Sequence, residues 1–139
     1  MTVLLDTNII MDALQERSPF DVEAKEILMR SQNGEITCLF TANAATDIFY
    51  LYSKARGVKS AKSALDFLLK NYDVVSVTHD DCILALSLSI DDFEDALAVI
   101  CAQKANVDCI ITRDDKFIED ILPVKIVTPK EFLEIKIRM

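Results

Sequence analysis

The sequence predicts an α/β fold, a three-layer α/β/α sandwich around a mainly parallel sheet. Short apolar runs alternate with helical patterns along the chain, which is typical of strands joined by crossover helices. The runs are almost purely apolar, as expected of strands that are covered by helices on both faces. Because 139 residues contain only 2 glycines and 3 prolines, there is little material for linkers, and we expect a single domain over residues 1–139.

The elements follow from the local pattern. The predicted strands are Val3–Leu5, Ile36–Phe40, Val74–Val77, Cys109–Thr112 and Lys125–Val127. Apolar residues at helical spacing predict helices at Phe20–Gln32, Asn43–Ala55, Ser60–Lys70, Asp80–Ser89, Phe93–Ala105 and Pro129–Leu133. Asn33-Gly34 and Gly57 are typical helix stops, and proline is favoured at the start of a helix.

The net charge of −8 argues against a protein that binds nucleic acid through a basic surface. Acids gathered around cations would weaken this objection without removing it. The amino terminus has no basic leader, and its apolar run is interrupted at Asp6, so we expect neither a signal peptide nor a membrane span. Four cysteines without CxxC spacing indicate free thiols in a reducing, cytoplasmic setting.

Four aspartates stand out by their positions. Asp6 and Asp114 follow predicted strands, and ligands of open α/β sheets bind beyond the carboxyl ends of the strands. Asp47 and Asp95 lie on helices with an apolar face and small neighbours. Taken singly, each has a structural alternative as a helix cap, a solvated residue or a partner of the helix dipole. Converging carboxylates repel one another, and a divalent cation with oxygen ligands, Mg²⁺ or Mn²⁺, removes the conflict.

With these motifs in place, the sequence resembles the PIN-domain family, specifically its single-domain toxin-type ribonucleases related to VapC. The resemblance rests on LLDTNIIMD (Leu4–Asp12), on an acid in the second motif helix (Asp47), on DFEDALAV (Asp92–Val99) and on IITRDDKF (Ile110–Phe117). The four motifs occur in the family's order and extend over most of the chain. The resemblance implies a compact α/β/α fold and metal-dependent hydrolysis of RNA phosphodiester bonds.

The resemblance also implies roles for residues. Asp6, Asp95 and Asp114 match the family's acidic positions as metal ligands, and Asp47 completes the catalytic set. The family usually has the longer glutamate where this chain has Asp47, so contact with the metal directly or through a water stays open. The expected accessory residues are Asn8 and Thr112, which would hydrogen-bond the carboxylates, and the acids Asp92 and Asp115.

RNA must be held against the overall negative charge. Basic residues near the predicted site are candidates for phosphate contacts: Lys54, Arg56, Arg113 and Lys116. A solvated helix end or loop is the structural alternative for each of them. By resemblance, the expected partners are a small antitoxin and a second copy of the chain in a homodimer.

Three other classes of protein share parts of this pattern. A haloacid-dehalogenase-type phosphatase requires a second aspartate two positions after Asp6, where this chain has Asn8. A receiver-like phosphoacceptor domain has a similar fold and size, but its phosphoacceptor aspartate should end the middle strand, and here Val77 is followed by Thr78. A non-catalytic PIN-like module that serves only assembly stays open, because position 47 lacks the glutamate.

Overall fold

The protein is represented by a computed structural model, which describes residues 1–114, 117 and 123–135. Five strands form an all-parallel sheet in the order β3-β2-β1-β4-β5. The strands are β1 (Thr2–Leu5), β2 (Thr37–Thr41), β3 (Asp73–Val75), β4 (Cys109–Ile111) and β5 (Ile126–Val127). The predicted α/β fold is confirmed, and every predicted strand ends within two residues of the observed one.

Helices cover both faces of this sheet. The helices of the described residues are α1 (Thr7–Leu14), α2 (Asp21–Gln32), α3 (Ala42–Arg56), α4 (Val58–Asn71), α5 (His79–Leu86), α6 (Phe93–Lys104) and α7 (Pro129–Glu134). Successive residues of a strand point to opposite faces. Accordingly, Val3 and Leu5 pack in the core shared with α1, α2, α3, α4 and α7, whereas Leu4 packs against α6.

Helix α1 is the one described element that the sequence patterns did not predict. Its eight residues are fewer than the window of about 11 in which a helical period is recognised. The consecutive buried residues Ile9, Ile10 and Met11 also resemble a short buried strand. The carboxylate of Asp6 starts the helix by accepting a hydrogen bond of 2.8 Å from the backbone N–H of Thr7. In the motif LLDTNIIMD, Asp6 is therefore the cap of a helix that begins at Thr7.

Helix α5 shows the largest difference in bounds, since the prediction over Asp80–Ser89 extends beyond its observed end at Leu86. The hydroxyl of Ser87 donates a 2.6 Å hydrogen bond to the carbonyl of Leu84, and the Ser87 backbone N–H bonds to Leu84 and Ala85. These bonds tighten the chain and end the helix. No helix in the described part of the chain is long and apolar enough to cross a membrane.

The topology determines where a site can form. The chain runs from β1 outward to β3 on one side and then returns to β4 on the other side of β1. Strand order thus reverses between β1 and β4, and such switch points leave a crevice beyond the carboxyl ends of the strands. Residues that follow β1 and β4 meet at this crevice.

Candidate metal centre

An acidic cavity of about 390 Å³ lies at the carboxyl edge of the sheet. Six acids from four segments of the chain line it: Asp6, Asp47, Asp92, Glu94, Asp95 and Asp114. The four aspartates that the sequence singled out are therefore brought together, with Asp92 beside them. Asn8 also lines the cavity, and the buried Thr112 hydrogen-bonds two members of the acidic set from below.

Asp6 is fixed by three hydrogen bonds. Its Oδ1 accepts from the backbone N–H of Thr7, and its Oδ2 accepts from the hydroxyl of Thr112 at 2.7 Å and from the amide Nδ2 of Asn8 at 3.3 Å. Burial raises the pKa of Asp6, the bonds from Thr112 and Thr7 lower it in part, and the nearby Asp114 raises it again. The carboxylate is thus held in one orientation at an electrostatic cost.

Asp95 is an acid whose pKa the site raises strongly. It lies in the first turn of α6, where Asp92 caps the helix by accepting a 3.1 Å hydrogen bond from the Asp95 backbone N–H. The pKa of Asp95 is raised from 3.8 to about 7, by burial first and then by the nearby Asp92, Asp6, Asp114 and Glu94. A helix amino terminus normally favours a carboxylate, so burial and like charges dominate here.

Asp47 reaches the cavity from α3. Together with Asp92 and Asp6 it raises the pKa of Glu94, for which burial is the largest cause. Tyr50 lies one helical turn after Asp47 and also lines the cavity, with its side chain exposed. Residues three and four apart share a helix face, so Lys54 lies next along this face, with its Nζ 4.9 Å from the centre of the Tyr50 ring.

Asp114 enters the site from the segment after β4. Its backbone N–H donates a 3.1 Å hydrogen bond to Oγ1 of Thr112, the same hydroxyl that donates to Asp6. Thr112 is fully buried and therefore ties the two acidic segments together from below. Asp115 and Lys116, which the sequence also proposed, lie outside the described residues.

The donor chemistry fits a hard divalent cation. The cavity presents carboxylate oxygens, and the buried Oδ1 of Asn8 accepts no hydrogen bond from the described residues. Mg²⁺ and Mn²⁺ prefer such ligands. In the described part of the chain, however, no three acidic, histidine or cysteine side chains are arranged to hold a metal ion as they stand. A cation would have to draw the carboxylates closer together.

The predicted RNA-contacting residues are placed differently from one another. Lys54 is at the rim beside Tyr50, and Arg56 is exposed at the end of α3. Arg113 does not line the cavity: its Nε and Nη2 donate to Asp12 at 2.7 and 3.1 Å, and its guanidinium lies 4.2 Å from the centre of the Phe20 ring. The buried carboxylate of Asp12 therefore holds Arg113 away from the position expected from its sequence neighbours.

Two charged residues that line the cavity were not predicted from the sequence, Glu94 and Arg17. Glu94 lies between Asp92 and Asp95, and only the phase of α6 reveals that it faces the cavity. Arg17 follows the unpredicted helix α1 and also lines the cavity. The acidic run DDFED (91–95) carried a signal for Glu94, whereas no local pattern pointed to Arg17.

An all-parallel sheet with an acidic cavity at its carboxyl edge defines an α/β protein with a candidate cation site. A model of the PIN domain family matches residues 2–116. The chain therefore belongs to the PIN domain family, and the resemblance stated from its motifs is confirmed. No curated protein matches the chain significantly.

Several solved structures share the fold. VapBC2 from Rickettsia felis, crystallised with a DNA fragment from its promoter, has a TM-score of 0.67 and 19% identity, covering 92% of this chain and 98% of that one. A toxin–antitoxin complex from Klebsiella pneumoniae has a TM-score of 0.69 and 22% identity, with coverages of 91% and 97%. VapC20 from Mycobacterium tuberculosis, a toxin that cleaves the sarcin–ricin loop, has a TM-score of 0.67 and 15% identity, with coverages of 83% and 92%. The TM-scores show that these proteins share a common fold with this chain.

Proposed function

We propose that this chain is a cytoplasmic Mg²⁺- or Mn²⁺-dependent endoribonuclease. The observation that carries the proposal is the convergence of six acidic side chains on one cavity at the carboxyl edge of the sheet. Asp6, Asp47 and Asp95 are half-buried there, and Asp92, Glu94 and Asp114 are exposed beside them. Mutual repulsion opposes such convergence, and desolvation adds to the cost for the half-buried acids. Membership of the PIN domain family, whose members are typically nucleases, supports the proposal.

In this proposal Asp6, Asp95 and Asp114 hold the cation. A bound divalent cation lowers the pKa of a water ligand and neutralises charge that develops on phosphate oxygens. Thr112 and Asn8 keep the Asp6 carboxylate in its orientation through the hydrogen bonds described above. Asp47 or Asp95 orients the attacking water or accepts its proton. Asp92 supports Asp95 by capping α6.

We assign RNA binding to the edge of the cavity that is formed by the carboxyl-terminal half of α3. Single-stranded bases are commonly held by stacking on aromatic side chains and phosphates by nearby cations. The exposed ring of Tyr50 with Lys54 above it combines both features, and Arg56 lies on the same helix. We expect RNA to cross this end of α3 with a phosphodiester facing Asp6.

The direct test is digestion of a defined pool of RNAs with Mn²⁺, with Mg²⁺ and with a chelator. Wild type should cut RNA only with a divalent cation, and D6N and D95N should be folded and inactive. D80N is a matched control, because Asp80 is an exposed acid in the first turn of α5 and does not line the cavity. If wild type and D6N process RNA alike in Mn²⁺, the ribonuclease proposal is wrong and an assembly role is favoured.

We further propose that the chain is the toxin of a toxin–antitoxin pair. The support is the shared fold with chains from toxin–antitoxin complexes, two of them VapBC complexes. Co-expression with small proteins encoded beside it should yield a stable complex in which RNA cleavage is blocked, and sizing should show two copies of the chain. Cleavage that persists unchanged with every such neighbour would contradict the toxin assignment and leave the ribonuclease assignment intact.

A further inference from the structure

Arg17 is the only basic residue, among those that the structure describes, that lines the acidic cavity. It lies in the loop between α1 and α2, and its side chain is 35% exposed. An arginine in such a place either neutralises the nearby acids or presents a positive charge to a ligand. The contacts of its guanidinium distinguish these two roles.

The side-chain hydrogen bonds of Arg17 go to a neutral amide oxygen, and its nearest carboxylate lies farther away. Its Nε and Nη2 both donate to Oε1 of Gln15, at 3.0 and 2.8 Å. Its Nη1 lies 3.8 Å from Oδ1 of Asp12, which is too long for a hydrogen bond. The backbone is anchored as well, since the Arg17 N–H donates to the carbonyl of Asp12 and the Arg17 carbonyl accepts from Asp21.

Asp12 lies near two guanidinium groups, those of Arg17 and Arg113. The Asp12 carboxylate is 1% exposed and is taken by the two-bond contact with Arg113. One carboxylate between two guanidinium groups neutralises only one of them. Arg113 is turned onto Phe20 and does not line the cavity, although its charge still interacts with that of Asp6. Arg17 is the guanidinium that borders the cavity itself.

Arg17 also keeps free hydrogen-bonding capacity. A guanidinium has five N–H donors, and the described residues accept only from Nε and Nη2. The remaining N–H groups suit an anion with paired oxygens, which is the geometry of a phosphate. An acidic cavity that attracts cations receives an anion only when that anion arrives with cations or belongs to a larger ligand such as a nucleic-acid strand.

From this geometry we infer that Arg17 binds a phosphate of the RNA backbone beside the acidic centre, with Asp12 and Gln15 as the residues that position it. The inference rests on the proposed ribonuclease function and names one of its substrate contacts. Arg17 is thereby distinguished from Arg113, which holds the segment after β4 to α1.

The test uses the full chain and one RNA that wild type cuts in Mn²⁺. R17Q should raise KM about tenfold, as expected for loss of a charged hydrogen bond, with kcat largely unchanged. The slope of log KM against log salt should become shallower by about 0.7, because one phosphate contact on a single strand is lost. R17K keeps the positive charge but loses the paired N–H donors of the guanidinium, so its KM should lie between those of wild type and R17Q.

R30Q is the matched control. Arg30 pairs with Glu26 on α2 and does not line the cavity, so R30Q should match wild type in both KM and salt slope. An unchanged KM and salt slope in R17Q overturns the assignment of Arg17 while leaving the ribonuclease intact. Equal losses of kcat in R17Q and R17K with unchanged KM also overturn it, because they indicate a structural role. Wild type that cuts no RNA refutes the proposed function and this assignment together.

Discussion

Replacing Asp95 by Asn should stabilise the metal-free protein while removing its response to metal. Burial and four neighbouring acids raise the pKa of this carboxyl from 3.8 to about 7. That difference corresponds to about 4 kcal/mol for ionising Asp95 in the folded state. Because Asp95 is only partly buried, we reduce the figure for solvent screening to about 2 kcal/mol. The amide also loses a favourable interaction with the helix amino terminus, of about 0.5 kcal/mol.

The sign of the pH dependence follows from the direction of the shift. Between 3.8 and about 7 the folded protein retains a proton on Asp95 that the unfolded chain releases. Proton binding by the folded state makes its stability fall as the pH rises through this window. Wild type should therefore lose stability from acidic to mildly alkaline pH when no metal is present, and D95N should lose less.

Thermal unfolding in a chelator measures the effect. Above the pKa of Asp95, D95N should unfold about 3–6 °C higher than wild type, the shift expected for 1–2 kcal/mol in a chain of this size. Saturating Mn²⁺ should raise the Tm of wild type and leave D95N nearly unchanged. D80N serves as the control, since it removes an exposed helix-start acid and should respond to Mn²⁺ as wild type does. The reasoning is refuted if metal-free D95N unfolds at or below the wild-type temperature, or if Mn²⁺ stabilises both proteins equally.

Three further predictions concern two other residues of the site and the buried pair of Asp12 with Arg113. T112V removes the hydroxyl that bonds Asp6 and the Asp114 segment; it should weaken Mn²⁺ binding by about tenfold or more in a calorimetric titration, whereas unchanged binding would contradict the role of Thr112. D47E supplies the longer side chain that the family usually has and should cut RNA in Mn²⁺ at least as fast as wild type, while D47N should be slower; equal rates for all three would remove Asp47 from the catalytic set. D12N breaks a buried pair with Arg113 and should cost about 3 kcal/mol in urea unfolding, so a loss below about 1 kcal/mol would show that the pair is not needed.

Much of the fold could be predicted because its signals are local. Each strand is a short apolar run, and the register that pairs Leu4 with Leu39 and Ile110 buries all three. Helix α1 could not be predicted in this way, because its eight residues are too few to establish a helical period and its consecutive buried residues Ile9 to Met11 resemble a short strand. Its start depends on Asp6 acting as a cap, a role that is evident only once the chain turns there.

The site was predictable to the extent that topology determines it. Acids after parallel strands must share one edge of the sheet, which is why Asp6 and Asp114 could be paired from sequence. Arg113 could not be placed, because its partner Asp12 lies 101 residues away in the chain. Arg17 was missed for a related reason: it reaches the cavity through a loop whose position depends on α1.

The central claim is that the acids of this cavity hold a divalent cation. Binding of Mn²⁺ to the metal-free chain tests it most directly. The measurement is a titration above the pKa of Asp95, with bound ions counted by electron paramagnetic resonance. Wild type and D80N should each bind at least one ion per chain, and D6N, D95N and D114N should each lose it. Binding by the three variants that equals wild type, or no binding by wild type, would contradict a metal centre built from these acids.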